Sequence, residues 1–127
     1  PNLRFTDDLL DLCASCDYIT IHVPATPKTK GMIGADEIAA MKEGAAFLNF
    51  SRDTLVDNDA MRAGLESGKV RRYVTDFATP EVMTMEGALV LPHLGASTAE
   101  AEENCAEMAV REVMDYLETG KKVHCVN

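Results

Sequence analysis

The segment 45-AAFLNFS-51 is an almost unbroken apolar run of strand length. Runs of this kind are typical of parallel strands that are covered on both faces. Similar runs occur at 18-YITIHV-23, 70-VRRYVTDF-77 and 88-ALVLP-92. Helical patterns and loops separate these runs. This alternation predicts an α/β fold in which helices flank a parallel sheet on both of its faces.

Capping residues indicate where the intervening helices begin and end. The predicted helices begin at Thr6, near Asp36, after Asp57 and at 97-STAE-100, and the last three end at Gly44, Gly68 and Gly120. Serine, threonine and aspartate cap helix N-termini through their side-chain oxygens. Glycine favours the C-terminal end because it adopts the left-handed conformation at little cost.

The length, composition and charge of the chain exclude some classes of function. The chain has 127 residues, is 46% hydrophobic and carries a formal net charge of -9. This length and composition predict one compact domain, and the acidic balance argues against nucleic acid or an anionic membrane as partner. The sequence has no apolar run of about 18 residues and no signal-peptide pattern at its N-terminus, so we expect a cytoplasmic protein.

The four cysteines are expected to be reduced thiols that pack as small apolar side chains. They are Cys13, Cys16, Cys105 and Cys125. The first two form an isolated C-x-x-C pair, and the other two are not at the spacing of a zinc site. The sequence therefore predicts no metal site.

Polar residues gather where the predicted strands end. Arg52 follows the second strand, Asp76 and Glu81 follow the third, and His93 follows the fourth. Ligands of parallel α/β sheets bind beyond the carboxyl ends of the strands. Arginine can hold a carboxylate through two hydrogen bonds, histidine can exchange a proton, and a carboxylate can orient the imidazole. These residues predict a site that binds an anionic substrate and moves a proton.

Four segments together resemble the D-2-hydroxyacid dehydrogenase family. They are 22-HVPATPKTKGMIG-34, 49-NFSRDTLVD-57, 73-YVTDFATPE-81 and 92-PHLGAST-98, and they span nearly the whole chain in the family's order. The resemblance implies a Rossmann-like fold and an NAD-dependent oxidoreductase that converts a 2-hydroxy acid to a 2-oxo acid. The segments are most similar to the branch of the family that oxidises 3-phosphoglycerate in the first step of serine synthesis.

The resemblance also implies roles for individual residues. Arg52 would hold the substrate carboxylate, His93 would be the general acid and base, and Glu81 would pair with His93. Asp76 would lie near the nicotinamide carboxamide. The remaining expected cofactor contacts are Val23, Pro24, Phe50, Ser51, Gly95 and Ala96, mostly through the backbone.

Three features depart from the family's pattern. Asp53 follows the arginine where many members have glycine, and Pro80 precedes Glu81 rather than following it. No G-x-G-x-x-G motif, which would hold the cofactor pyrophosphate, occurs in these 127 residues. We therefore interpret residues 1–127 as the C-terminal part of an incomplete NAD-binding catalytic domain. Alone it is expected to bind NAD weakly, to be inactive and to expose an apolar edge that favours homo-oligomers.

Other interpretations remain open from the sequence. The full protein could act on lactate or glycerate, or it could be a non-catalytic NAD-binding interaction protein on the same fold. Arg52 could form a plain salt bridge with Asp53 or Asp57, and the carboxylates of Asp76 and Glu81 could be ordinary loop groups. His22 is expected to be structural, because the family's contacts at that point are mostly backbone.

Overall fold

The computed structural model describes residues 3–124. The chain consists of two compact units, Pro1–His93 and Leu94–Asn127. In the described part of the first unit, β1 to β4 form one parallel sheet in chain order. The strands are β1 (Tyr18–Ile21), β2 (Ala45–Asn49), β3 (Val70–Thr75) and β4 (Ala88–Val90). The predicted parallel sheet is confirmed.

Helices connect the strands, as the capping pattern predicts. Those of the first unit are α1 (Leu9–Ser15), α2 (Ala35–Ala40), α3 (Asn58–Glu66) and the short α4 (Pro80–Met83). A 3-10 turn, Asp53–Leu55, follows β2. The first helix begins later than predicted, because Asp8 rather than Thr6 caps α1 and accepts a hydrogen bond from the backbone N of Leu10 at 2.9 Å.

Each strand ends earlier than its apolar run, and two buried polar side chains explain this for β2 and β3. The carboxamide oxygen of Asn49 accepts from the backbone N of Ser51 at 3.1 Å. The hydroxyl of Thr75 accepts from the backbone N of Phe77 at 3.2 Å. Such bonds give the backbone a partner other than the neighbouring strand. The strands β2 and β3 therefore end at Asn49 and Thr75.

The core lies between one face of the sheet and a layer of helices. Ile19, Phe47 and Tyr73 are in register on this face, each at most 5% exposed. The helices α1, α2 and α3 contact one another in order. They contribute further members of the same apolar cluster, including Cys13, Ile38 and Met61.

The opposite face of the sheet is open within residues 3–93. Tyr18 on β1 is 68% exposed and Leu89 on β4 is 53% exposed. The expectation that helices cover both faces is therefore not met in this unit. Each strand is added to the same edge of the growing sheet. Right-handed crossover connections therefore place all the connecting helices on the same face of the sheet.

The second unit contains one long helix, α5 (Ala99–Thr119). Thr98 caps it by accepting a hydrogen bond from the backbone N of Ala101 at 3.1 Å, and Gly120 ends it at a φ of +70°. The C-terminal end agrees with the sequence-based prediction, but the helix begins one residue later than the capping box at Ser97 predicts, because Thr98 is the N-cap. No helix in residues 3–124 is long and apolar enough to cross a membrane.

Candidate active site

The ends of β3 and β4 bring Asp76 and His93 together. The strands are neighbours, and the backbone N of Leu91 donates to the carbonyl oxygen of Thr75 at 2.8 Å, which continues their pairing beyond β4. Asp76 comes directly after β3, and His93 follows three residues after β4. Nδ1 of His93 lies 2.8 Å from Oδ2 of Asp76.

This contact determines which imidazole nitrogen faces the open site. The nearby negative charge favours the neutral imidazole form that carries its proton on Nδ1. Nε2 is then the nitrogen that can exchange a proton with another molecule. The ring of Phe77 lies against the imidazole, with ring centroids 5.0 Å apart. The His93 side chain is 58% exposed, so a ligand can reach it.

The two oxygens of the Asp76 carboxylate have different surroundings. Its side chain is 13% exposed. Oδ1 is buried and has no hydrogen-bond partner among the described residues. Buried oxygen atoms without a partner are rare because desolvating them is costly. An N–H donor of a bound molecule would satisfy Oδ1.

Arg52 lies at the end of β2 with its guanidinium exposed to solvent. Nη1 donates to the carbonyl oxygen of Ser51 at 2.6 Å, and no carboxylate of residues 3–124 lies within 4.0 Å of the guanidinium. The two alternative partners bond elsewhere. Asp53 accepts from the backbone N of Thr54 at 2.8 Å, and Asp57 accepts from that of Ala60 at 2.9 Å. Arg52 therefore keeps donors for an anionic ligand.

Asn49 is a site residue that sequence reasoning missed. It is 0% exposed, and its Nδ2 donates to the carbonyl oxygen of Arg52 at 2.8 Å. Ser51 next to it donates from its hydroxyl to the carbonyl oxygen of Val23 at 2.7 Å. These bonds join the ends of β1 and β2 behind Arg52. The available signal was the amide of Asn49 inside the apolar run 45-AAFLNF-50.

A buried tyrosine completes the polar cluster under this edge of the sheet. Tyr73 is 1% exposed, and its hydroxyl lies 3.4 Å from Nδ2 of Asn49. Burial raises the pKa of Tyr73, and the hydrogen bonds with Asn49 and Thr75 lower it by less. The hydroxyl therefore stays neutral at physiological pH.

Glu81 lies in the first turn of α4, and its side chain is exposed. Its carbonyl oxygen accepts from Nη2 of Arg62 at 3.0 Å and from the hydroxyl of Thr84 at 2.8 Å. The only carboxylate of the described residues within 4.0 Å of the His93 ring is that of Asp76. The structure thus brings Asp76 to His93 and does not bring Glu81 there.

The expected cofactor contacts fall at two places in the chain. Val23 and Pro24 follow β1, and Phe50 and Ser51 follow β2, so these four share the carboxyl edge of the sheet with Asp76. In the second unit, Gly95 and Ala96 are both exposed. The orphaned Oδ1 of Asp76 and this edge fit the nicotinamide end of a dinucleotide. No G-x-G-x-x-G motif for its pyrophosphate occurs in these 127 residues.

The remaining candidates take structural positions. Nε2 of His22 lies 2.9 Å from the hydroxyl of Thr20 on the open face of the sheet. Cys13 is buried, Cys16 is half-buried and Cys105 is exposed, all as free thiols, and Cys125 lies outside the described residues. No group of three His, Cys, Asp or Glu side chains in residues 3–124 could hold a metal ion.

Comparisons with known proteins give relatives for the whole chain. Residues 2–95 match the family described as D-isomer specific 2-hydroxyacid dehydrogenase, NAD binding domain. The D-3-phosphoglycerate dehydrogenase of Methanocaldococcus jannaschii is 35% identical over 121 residues, which is 91% of this chain and 23% of that protein. Glyoxylate/hydroxypyruvate reductase B of Cronobacter sakazakii is 34% identical, over 99% of this chain and 41% of that protein.

Solved structures share the fold. A glyoxylate reductase from Paecilomyes thermophila superposes with a TM-score of 0.82 at 27% identity, over 91% of this chain and 37% of that chain. This chain spans from about a quarter to two fifths of the length of these relatives. The matches confirm the resemblance carried by the four sequence segments. The chain therefore belongs to the D-isomer specific 2-hydroxyacid dehydrogenase family, and its residues 2–95 match that family's NAD-binding domain.

Proposed function

We propose that the protein containing this chain is an NAD-dependent oxidoreductase that interconverts a D-2-hydroxy acid and its 2-oxo acid. The observation that carries the proposal is the His93–Asp76 pair at the carboxyl edge of the sheet, with Nδ1 and Oδ2 2.8 Å apart. Arg52, which has no carboxylate partner in residues 3–124, supports it from the end of β2. Family membership makes this chemistry the leading candidate.

The proposed roles follow from the chemistry of each group. The Arg52 guanidinium binds the substrate carboxylate through two N–H donors. When the hydroxy acid is oxidised, Nε2 of His93 accepts the hydroxyl proton, and the ring becomes an imidazolium beside the Asp76 carboxylate. When the 2-oxo acid is reduced, Nε2 returns that proton to the carbonyl oxygen. The nicotinamide, when bound, takes or supplies the hydride at C2.

Cofactor binding is proposed at the same edge of the sheet. The backbone of Val23–Pro24 and Phe50–Ser51 would line the nicotinamide end, and Oδ1 of Asp76 would accept from the carboxamide N–H. Gly95 and Ala96 are proposed as further backbone contacts. We propose NAD rather than NADP because the matching family is described as NAD binding. Comparing turnover with NADH and NADPH tests this choice.

The proposed substrate is 3-phosphoglycerate. Relatives named D-3-phosphoglycerate dehydrogenase support it, at 35% identity in Methanocaldococcus jannaschii and 32% in Haemophilus influenzae. A second candidate is reduction of glyoxylate or hydroxypyruvate, since the reductase of Cronobacter sakazakii is 34% identical. Assembly of the protein as a homo-oligomer stays a prediction.

The test uses the protein encoded by the full reading frame. NADH absorbance is followed with 3-phosphohydroxypyruvate, hydroxypyruvate, glyoxylate and pyruvate. We expect NADH to be oxidised selectively with the phosphorylated acid. Preference for another acid would identify a different substrate for the same reaction. The control is His93→Asn, which should lose turnover and keep NADH binding. Tight NADH binding without turnover of any acid would contradict the proposal and favour a non-catalytic NAD-binding protein.

A further inference from the structure

We propose that Arg62, on α3, is a positioning residue that fixes α4 and, through α4, the carboxylate of Glu81. The proposal rests on the proposed function for its consequence in turnover, because it takes Glu81 as the partner of His93 that the family resemblance predicts. The observation that carries it is a set of three hydrogen bonds from the Arg62 guanidinium to Glu81 and Thr84.

The helix α4 needs support from outside itself. It contains only four residues, Pro80–Met83. An isolated helix this short is not stable in water, and the last carbonyl groups of any helix lack α-helical partners. Val82, 3% exposed, packs one side of α4 into the core. Glu81 is exposed, so packing does not hold its side of the turn.

Arg62 supplies the missing partners at the end of α4. Its Nη2 donates to the carbonyl oxygen of Glu81 at 3.0 Å and to the hydroxyl of Thr84 at 3.1 Å. Its Nη1 donates to the carbonyl oxygen of Thr84, the C-cap residue, at 3.4 Å. The Thr84 hydroxyl donates in turn to the carbonyl oxygen of Glu81 at 2.8 Å. Because the guanidinium is planar and rigid, bonds to two residues restrain both the position and the rotation of the turn.

Arg62 is itself held in a fixed part of the molecule. It is half-buried, and its neighbour on α3, Met61, is 0% exposed. The helix α3 contacts both α2 and β3. No carboxylate of residues 3–124 lies within 4.0 Å of the Arg62 guanidinium, so its donors serve α4 rather than an ion pair. The position of α4 therefore follows that of the helix layer.

The consequence for the site comes from where α4 lies in the chain. It connects β3, which leads to Asp76, with β4, which leads to His93. The bonds from Arg62 fix the backbone of Glu81, while its exposed side chain stays free to turn about its own bonds. The Glu81 carboxylate is thus presented from a fixed point. Precision of this kind matters, because a misplacement of about 1 Å can lower a rate by about 100-fold.

The first experiment compares Arg62→Ala with Arg71→Ala in the full-length protein. Each variant removes one positive charge, but Nη2 of Arg71 lies 3.4 Å from the hydroxyl of Tyr18, away from α4. Arg62→Ala is expected to lower kcat by about 10- to 100-fold. It should also change the shape of the pH profile of kcat/KM, which a smaller fraction of folded protein would not do. Arg71→Ala should keep the kcat of the unaltered protein, and Arg62→Lys should recover part of the loss.

A double-mutant cycle with Glu81→Gln tests whether Arg62 acts through Glu81. Glu81→Gln alone should lower kcat. In that background Arg62→Ala should lower kcat little further, because residues that act through one another are not additive. Fully additive losses would overturn the proposal. It would also be overturned by an unchanged kcat in folded Arg62→Ala, or by a loss in Arg62→Ala without one in Glu81→Gln.

A second measurement tests the bonds to α4 without activity. Hydrogen exchange followed by mass spectrometry should show faster exchange in residues 81–85 of Arg62→Ala and unchanged exchange there in Arg71→Ala. If Arg62→Ala does not fold, Thr84→Ala removes the other side of the contact and should accelerate the same segment. Unchanged exchange in the folded variant would overturn the proposal. If the unaltered protein has no turnover, the proposed function fails, and exchange still decides whether Arg62 fixes α4.

Discussion

Nδ2 of Asn49 donates to the carbonyl oxygen of Arg52 at 2.8 Å. This hydrogen bond fixes the backbone of Arg52 and so the point from which its guanidinium extends. The same side chain accepts from the backbone N of Ser51 at 3.1 Å. The position of Arg52 therefore depends on a residue that is 0% exposed.

Replacing Asn49 by Ala should loosen the Arg52 segment. We expect a higher KM for the 2-oxo acid and a smaller change in kcat, because the role proposed for Arg52 is to bind the carboxylate and not to transfer the proton. Removing buried hydrogen-bond partners should also lower the free energy of unfolding by about 1–3 kcal/mol. Steady-state kinetics and urea unfolding measure the two effects. A loss of stability with an unchanged KM would contradict a positioning role for Asn49.

Replacing Arg52 by Ala should raise KM for the 2-oxo acid by about 10- to 100-fold, the worth of hydrogen bonds to a charged group. NADH binding should persist. The matched control is Asp53→Asn. Its carboxylate accepts from the backbone N of Thr54 at 2.8 Å, and it is not paired with Arg52. A large fall of KM in Asp53→Asn would instead show that Asp53 weakens the anion site.

The thiols should react at very different rates in the folded protein. Cys13 is 0% exposed, and burial, together with the charges of Glu37 and Cys16, raises the pKa of its thiol above 9.0. Only the thiolate reacts readily, so Cys13 should be labelled slowly and exposed Cys105 quickly. Labelling by a chromogenic disulfide in native and denaturing buffers measures the order. In a Cys125→Ser background, Cys105→Ser should remove the fast phase, and a fast phase that persists there would contradict the assignment.

Alkaline pH should destabilise the fold. Burial raises the pKa of Tyr73 above its ordinary value of 10.0 and that of Cys13 above 9.0. The unfolded chain therefore loses these protons at lower pH than the folded chain, so stability is full below pH 9 and falls as pH rises past these values. Urea midpoints between pH 8 and about 11 measure the decline. Cys13→Ala should have a shallower decline, and an unchanged one would exclude a contribution from this thiol.

Gly64→Ala should destabilise the contact between α2 and α3. A Cβ at Gly64 would lie 2.8 Å from Cγ2 of Ile38 and 3.2 Å from Cγ2 of Val70. Overpacking of this kind costs about 1–3 kcal/mol. Thermal unfolding measures the loss. The control is Gly95→Ala, where an added Cβ meets nothing within 4 Å, so equal losses in both variants would contradict the packing argument.

Local patterns in the sequence were sufficient for the parallel sheet and for the last two long helices. The apolar runs placed β1 to β4, Asp57 caps α3 as predicted, and the cap of α5 lies one residue after the predicted Ser97. These features depend on interactions within a few residues, namely the periodicity of apolar side chains and hydrogen bonds from side chains to the nearby backbone. The same patterns missed α4 and the 3-10 turn, which contain only four and three residues.

The sequence by itself also determined that Arg52, Asp76 and His93 follow strand ends at one edge of the sheet. Which carboxylate meets His93 was decided only by the tertiary structure. Asp76 and Glu81 are five residues apart and have the same ionisable group, so local chemistry does not separate them. Their distances to His93 depend on how β3 pairs with β4 and on where Arg62 holds α4. Those contacts join residues that are distant in sequence, so a local sequence pattern does not predict them.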